Sequence, residues 1–180
     1  MKKLIAVGGR PGTGKTTLFR KFMEDKTWER VEPSKTLSAL YSKELDLYVL
    51  GKYEDGEVFA GTDRLSMAVQ PVAQSFVSET TSNILFEGDR IFNQSFLEFA
   101  MNTPNIDLQI LYLKVPEETL KTRYVERGSD QSETFLKGRA TKYNNLLSNF
   151  ELAPYITEFV NTNLEEQTKI LAFMDSHLKK

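Results

Sequence analysis

The 180 residues contain no cysteine, which excludes disulfides, thiol chemistry and cysteine-ligated zinc. There is one histidine, His177, two residues before a Lys-Lys end. It reads as a solvated surface residue, and histidine-based catalysis is set aside. No apolar run approaches 18 residues, so no transmembrane span is expected. The start lacks the basic and then apolar pattern of a leader, and a cytoplasmic setting fits. Neither sign of charge dominates, with 23 Lys and Arg against 25 Asp and Glu and a net charge of −2. The distribution is uneven. Residues 1–30 carry eight basic against three acidic side chains, residues 31–113 five against twelve, and residues 114–143 seven against five. The acidic middle argues against a long nucleic-acid groove, although a short or flipped-out nucleic-acid substrate stays open.

What is present is a phosphate-binding signature. Gly9-Arg10-Pro11-Gly12-Thr13-Gly14-Lys15-Thr16-Thr17 spells G-x-x-x-x-G-K-[ST]. It follows the apolar run Leu4–Val7 and precedes Leu18–Met23, where apolar residues recur at helical spacing. Strand, glycine-rich turn and helix are the context the motif requires. Glycines let successive backbone N–H groups turn inward as an anion nest, and the helix start adds its dipole. Lys15 then reaches the β- and γ-phosphates, and the Thr16 hydroxyl ligates Mg²⁺. The competing account, a glycine-rich turn that matches by chance, leaves the flanking strand and helix unexplained.

Further along, residues 27–38 read as an approach to a second strand and a short helix. Leu45–Leu50, Asp55-Gly56 and Val58-Phe59-Ala60 predict a β-hairpin. Residues 66–78 read as a helix with Pro71 near its start, and Asn83–Phe86 as a buried strand. A helix with Phe92, Phe96 and Leu97 comes next, then a central strand over Asp107–Val115. Pro116-Glu117-Glu118 opens a helix that stops at Gly128. A polar loop, a helix over Phe135–Phe150, a strand over Ile156–Val160 and a helix over Leu164–Leu178 complete the chain. This alternation predicts a three-layer α/β/α fold on a mostly parallel sheet. One domain is expected over 1–180, with an inserted hairpin near 45–60 and a lid near 123–142. Ligands in such sheets bind beyond the carboxyl ends of the strands.

Glu87-Gly88-Asp89-Arg90 ends the strand beginning at Asn83. One of its carboxylates suits a metal and the other a proton from an attacking hydroxyl, while Arg90 suits an acceptor. Which carboxylate does which stays open, and Asp89 as a plain helix cap is the alternative. Asp63-Arg64, after the expected hairpin, is a second cluster, either for the acceptor and catalysis or a solvated hairpin exit. Arg123 and Arg127 share a helix face, with Lys137, Arg139 and Lys142 beyond a polar loop. They suit a lid that neutralises transferring phosphate; pairing with Glu118, Glu126 or Asp130 is the surface alternative. Asn161-Thr162-Asn163 either flanks the base of the donor or caps the last helix. Tyr41, Tyr48, Tyr53, Phe59 and Phe76 either stack on an acceptor base or, as periodicity argues for most of them, fill the core.

The order of these parts resembles the small phosphate-loop kinases of the nucleoside and nucleotide kinase group over most of the chain. Gly9–Thr17 is similar to their phosphate loop, and Phe86-Glu87-Gly88-Asp89-Arg90 to their acidic-Arg motif, which positions acceptor and base. Tyr112–Glu118 leading to Arg123 and Arg127 is similar to their strand and lid-bearing helix, and Val160-Asn161-Thr162 to their adenine loop. The resemblance implies ATP, Mg²⁺, a five-stranded parallel core, and a monomer or homodimer. Ile91 after Asp89-Arg90 departs from the thymidylate-kinase pattern, and the deoxynucleoside-kinase Glu-Arg-Ser is missing. The Gly51–Leu65 region is similar in flavour to phage-encoded kinases, including those acting on 5-hydroxymethyluracil in DNA, which would place the protein in host cytoplasm.

Three functions follow as expectations. The first is an ATP-dependent kinase acting on a nucleoside, nucleotide or hydroxymethylated base. The second is transfer to a base hydroxyl within DNA. The third is a nucleotide-hydrolysing switch, weakened because no Asn/Thr-Lys-x-Asp stretch for GTP occurs. No membrane partner is expected.

Overall fold

The computed structural model describes residues 1–57, 59–126 and 132–179. Its centre is β1 (Lys2–Gly9), buried from Leu4 onward. On one side β1 pairs in parallel with β5 (Asn83–Glu87), and on the other with β6 (Ile106–Lys114). Outward from β5 lies β4 (Leu47–Leu50), and outward from β6 lies β7 (Ile156–Val160), both again parallel. The five parallel strands expected of the core are therefore present. Two more, β2 (Glu29–Ser34) and β3 (Leu37–Ser42), extend the sheet antiparallel from β4, giving the order β2-β3-β4-β5-β1-β6-β7.

Alternation along β1 assigns its side chains to two layers. Leu4 and Ala6 join Phe86 and Ile110 against α2 (Val69–Glu79), α3 (Gln94–Asn102) and α5 (Glu133–Leu147), through Val69, Phe96 and Tyr143. Ile5 and Val7 join Leu85 and Leu111 against α1 (Lys15–Met23) and α6 (Leu164–Leu178), through Phe19, Phe22, Ile170 and Met174. Helix α4 (Glu117–Glu126) starts just past the carboxyl end of β6. Side-chain caps hold three helix starts: Asn93 accepts from the Phe96 N–H, Ser132 from Phe135 and Asn163 from Glu166.

The region from 27 to 60 differs from the sequence expectation. No short helix follows α1; the chain forms β2 and β3, turning where Thr36 sits at φ 70°. Phe59 and Ala60 form no returning strand, Val58 lies outside the described residues, and Lys52↔Gly61 is an isolated bridge. The reason is edge availability. β4 already bonds β3 on one side and β5 on the other, so no edge is left for a hairpin partner. Residues 51–57 and 59–61 form a strap beyond the carboxyl end of β4, closed by that bridge. His177 also departs from expectation: it is 6% exposed, its ring stacked on Phe173 and its Nε2 3.5 Å from an Asp107 carboxylate oxygen. Its place on the buried side of amphipathic α6 explains this better than its nearness to the basic end. Among the described residues no helix is long and apolar enough to cross a membrane.

Candidate active site at the carboxyl ends of the strands

The phosphate loop leaves β1 at Gly9 and enters α1 at Lys15, with Gly12 and Gly14 at φ 87° and 88°. Thr13 closes the turn, its N–H and hydroxyl both donating to the Arg10 carbonyl at 3.3 and 2.8 Å. Lys15 folds back over the loop, its Nζ 2.5 Å from the Gly9 carbonyl and 3.3 Å from that of Arg10. Neighbouring elements brace the outside. Arg123 on α4 donates to the Gly12 carbonyl at 2.6 Å and to those of Asn161 and Thr162 at 3.2 and 3.3 Å. The Tyr124 hydroxyl donates to the Pro11 carbonyl at 2.7 Å, and the Asn161 amide to that of Thr13 at 2.9 Å. Arg10 pairs with Glu117, a hydrogen bond that raises its pKa further.

Three carboxylates gather next to this loop. Glu87, the last residue of β5, is 1% exposed, and both its oxygens lie 3.4 Å from the Thr16 hydroxyl. Burial pushes its carboxyl up to about 8, against an opposing pull from Lys15. The space beside it exists because residue 61 is glycine: at φ 69°, a Cβ there would stand 2.8 Å from a Glu87 carboxylate oxygen. Thr62 follows, fully buried, its hydroxyl donating to the Glu87 carbonyl at 2.8 Å. That bond fixes the short 3₁₀ turn Thr62–Arg64 and so delivers Asp63 to the site. The Asp63 Oδ1 accepts the Arg90 backbone N–H at 3.0 Å, and its carbonyl accepts from the Arg90 guanidinium at 3.0 Å. Burial and the nearby Asp89 raise the Asp63 carboxyl, outweighing Lys15 and Arg90.

Asp89 has the opposite character. Burial acts to raise its carboxyl, but Lys15, Lys142, the Tyr143 hydroxyl and Arg139 together hold it below the usual value. Three of those groups come from α5: Lys142 Nζ at 3.4 Å, Arg139 Nε at 3.6 Å and the Tyr143 hydroxyl. Arg64 turns toward the strap, 3.5 Å from Glu57 and 3.8 Å from Glu54.

The structure thus brings together Lys15, Thr16, Asp63, Glu87, Asp89, Arg90 and Arg139. Asp89 is no helix cap, since Asn93 fills that place on α3. Asn163 does cap α6, while Asn161 turns inward to the loop. Arg123 lies on loop carbonyls instead of on a surface carboxylate, and Arg127 lies outside the described residues. Of the aromatics, Phe59 is 59% exposed, Tyr48 and Phe76 pack edge to face, and Tyr53 stacks on Phe19. Thr62, Tyr124 and Tyr143 were not singled out from the sequence. Helical spacing places Tyr143 in the core, but nothing in it says that the hydroxyl reaches Asp89. Thr62 stands inside the Gly61–Arg64 cluster, whose polar and charged run after a glycine was the signal available.

A family model described as P-loop Nucleotide Kinase3 matches residues 1–178. Among solved structures, the chain is similar to a sugar kinase from Janibacter sp. at 16% identity, covering 97% of this chain and 95% of that one with a TM-score of 0.53. It is similar to a gluconokinase from Sinorhizobium meliloti at 14% identity, covering 98% and 95% with a TM-score of 0.52. At these identities the two structures show the fold. No curated protein matches the chain.

Proposed function

This chain belongs to the P-loop Nucleotide Kinase3 family, and from that premise we propose that it transfers the γ-phosphate of ATP to a hydroxyl of a nucleoside, nucleotide or hydroxymethylated base. One observation carries the reading. The phosphate loop with Lys15, the Thr16–Glu87 pair and the Asp63 carboxylate converge at the carboxyl ends of β1 and β5.

Thr16 and Glu87 would hold Mg²⁺, which takes few protein ligands beside phosphate and water, with the Glu87 carboxyl giving up its proton as the cation binds. Among the described residues no three His, Cys, Asp or Glu gather as a protein-only metal cage. Mg²⁺, when bound, supplies neutralisation of β- and γ-phosphate charge. The chain's own residues do the rest. Loop N–H groups and Lys15 hold the donor, and Arg139 and Lys142 stand by as further cations. Asp63, with its raised affinity for a proton, takes the proton of the acceptor hydroxyl. The acceptor oxygen bonds to the γ-phosphorus, the bond to the bridging β–γ oxygen breaks, and ADP leaves with that electron pair. Asp89, paired to three α5 groups, stays ionised and anchors the helix.

The test is Lys15→Ala, assayed with labelled ATP against a panel of nucleosides, nucleotides and DNA containing hydroxymethylated bases. Transfer in the parent protein is expected to fall by at least about 100-fold, as when one transition-state donor is removed, with circular dichroism unchanged. Undiminished transfer in the variant overturns the proposal.

A further inference from the structure

Helix α1 carries Thr16 and Arg20 one turn apart, and residues four apart share a helix face. Thr16 turns that face toward Glu87, whose oxygens lie 3.4 Å from its hydroxyl. Arg20 continues it toward the strap. Its Nη2 donates to the Glu54 carbonyl at 3.1 Å, and its Cζ stands 5.9 Å from the centre of the Tyr53 ring. The neighbouring Phe19 stacks on the same ring at 6.0 Å. The stack sets a distance, and the hydrogen bond adds a direction.

Glu54 is held at both ends. Its carbonyl takes the Arg20 bond, and its carboxylate lies 3.8 Å from Arg64, which also stands 3.5 Å from Glu57. Arg64 belongs to the turn Thr62–Arg64 that carries Asp63. Partly exposed ion pairs of this kind are weak, so they orient the turn only as well as Glu54 is itself fixed. The other leg of the strap is tied in as well. The Gly61 N–H donates to the Lys52 carbonyl at 2.7 Å, and the Lys52 N–H to the Gly61 carbonyl at 3.1 Å. Gly61 lies against the Glu87 carboxylate, and Thr62 bonds the Glu87 carbonyl. The contacts close a circuit from α1 to Glu54, on to the turn, on to Glu87 and back to Thr16. Asp63 is flanked by two of its members, Thr62 and Arg64.

We infer that Arg20 is a positioning residue: through Glu54 it sets the turn bearing Asp63 against the phosphate-loop helix, and it passes nucleotide occupancy of the loop to the strap. The inference rests on the kinase reading for the role of Asp63, while the coupling rests on the contacts. A loop ordered by nucleotide steadies the start of α1, and a steadier α1 steadies what it holds. Transfer needs the acceptor oxygen aligned with the γ-phosphorus, and a small misplacement there lowers rate without lowering donor affinity.

The experiment is hydrogen exchange on the full chain, with and without Mg²⁺ and a non-hydrolysable ATP analogue, in the parent, Arg20→Met and Arg20→Lys. Methionine keeps an apolar stem against Tyr53 and removes the donor, whereas lysine keeps one donor and the charge. In the parent the analogue is expected to slow exchange of the Lys52 and Gly61 amides by about tenfold. That slowing should disappear in Arg20→Met and largely return in Arg20→Lys, with calorimetric affinity for the analogue changed by less than about threefold. With the acceptor that the labelled-ATP panel identifies, Arg20→Met is expected to lower kcat by about 10- to 100-fold and to leave the KM for ATP within about threefold. No exchange response in the parent, or a response that Arg20→Met keeps, overturns the inference, since the route then bypasses Arg20 through Thr16 and Glu87. A lower melting temperature in Arg20→Met with response and kcat intact overturns it too, as Arg20 is then structural alone. An Arg20-dependent response in a chain that transfers to no acceptor supports the coupling and sinks the kinase reading.

Discussion

The Tyr143 hydroxyl donates to Asp89 Oδ1, tying the buried middle of α5 to the turn that follows β5. The ring is 1% exposed and packs between Phe92 and Tyr112. Of the three carboxylates, Asp89 is therefore the one whose charged form its neighbours hold, whereas at Asp63 and Glu87 burial prevails and favours the proton. One strand end and one strap give three environments, and the environments separate the proton affinities of three carboxyls that look alike in the sequence.

Tyr143→Phe keeps the ring and removes that donor. The bond helps hold the Asp89 carboxyl low, so its pKa rises in the variant. A carboxylate depressed in the folded state adds stability that is present above its unfolded value of 3.8 and is lost as pH falls through the folded one. In the variant that loss starts at higher pH, and the acid limb of the pH–rate profile moves the same way. Stability near neutrality should drop by about 1 kcal/mol. Urea midpoints and transfer rates between acid and neutral pH check this; superimposable profiles would show that Tyr143 is packing alone.

The opposite sign applies to Glu87. Its carboxyl is raised from 4.5 to about 8, so the folded state holds a proton that the unfolded state has lost across that window. Stability should decline as pH rises from 4.5 toward 8 and level off beyond it. Glu87→Gln removes the titration and flattens this part of the curve, leaving the variant more stable than the parent at the upper end. The difference is of the order of a few kcal/mol at most, because Lys15 offsets part of the burial penalty. Chemical denaturation at a series of pH values decides; a parallel decline in both proteins refutes the prediction.

These contrasts show what sequence could and could not carry. The phosphate loop was readable because its chemistry is local: the glycines, Lys15 and Thr16 lie within one turn and act through their own backbone. β1 and β6 were readable because apolar runs have one reading when buried on both faces. The strap was misread because Asp55-Gly56 is a sound turn signal, and only the sheet order shows that β4 has no edge to offer. His177, Tyr143 and Arg123 share one difficulty. Each has an ordinary place in a helix pattern, and each takes its meaning from a partner 38 or more positions away, save the ring stack at Phe173.

Gly8 adjoins the phosphate loop, and a Cβ there would stand 2.1 Å from the Phe92 ring. Gly8→Ala should therefore destabilise by about 1–3 kcal/mol through overpacking. Phe92→Leu opens space on that side, so the cost of the alanine should shrink in the double variant. A double-mutant cycle of denaturation free energies measures the coupling. Simple additivity would mean that the strand, and not the ring, resists the new methyl.

Arg123 offers the sharpest division between bracing and chemistry. Its guanidinium spans two loops, donating to the Gly12 carbonyl with one nitrogen and to the Asn161 and Thr162 carbonyls with the other. A lysine carries the charge but not the planar fork, so it cannot bridge both loops in the same way. If the bridge is the residue's work, Arg123→Lys raises the KM for ATP by about three- to tenfold, the worth of one hydrogen bond to a carbonyl, with kcat changed little. If Arg123 instead leaves those carbonyls to neutralise the transferring phosphoryl group, kcat falls by about 10³ or more, as arginine-finger losses do. The observed bonds favour the first outcome. They also fix the readout, because uniform loss of donor binding moves KM while loss of a contact made only in the transition state moves kcat.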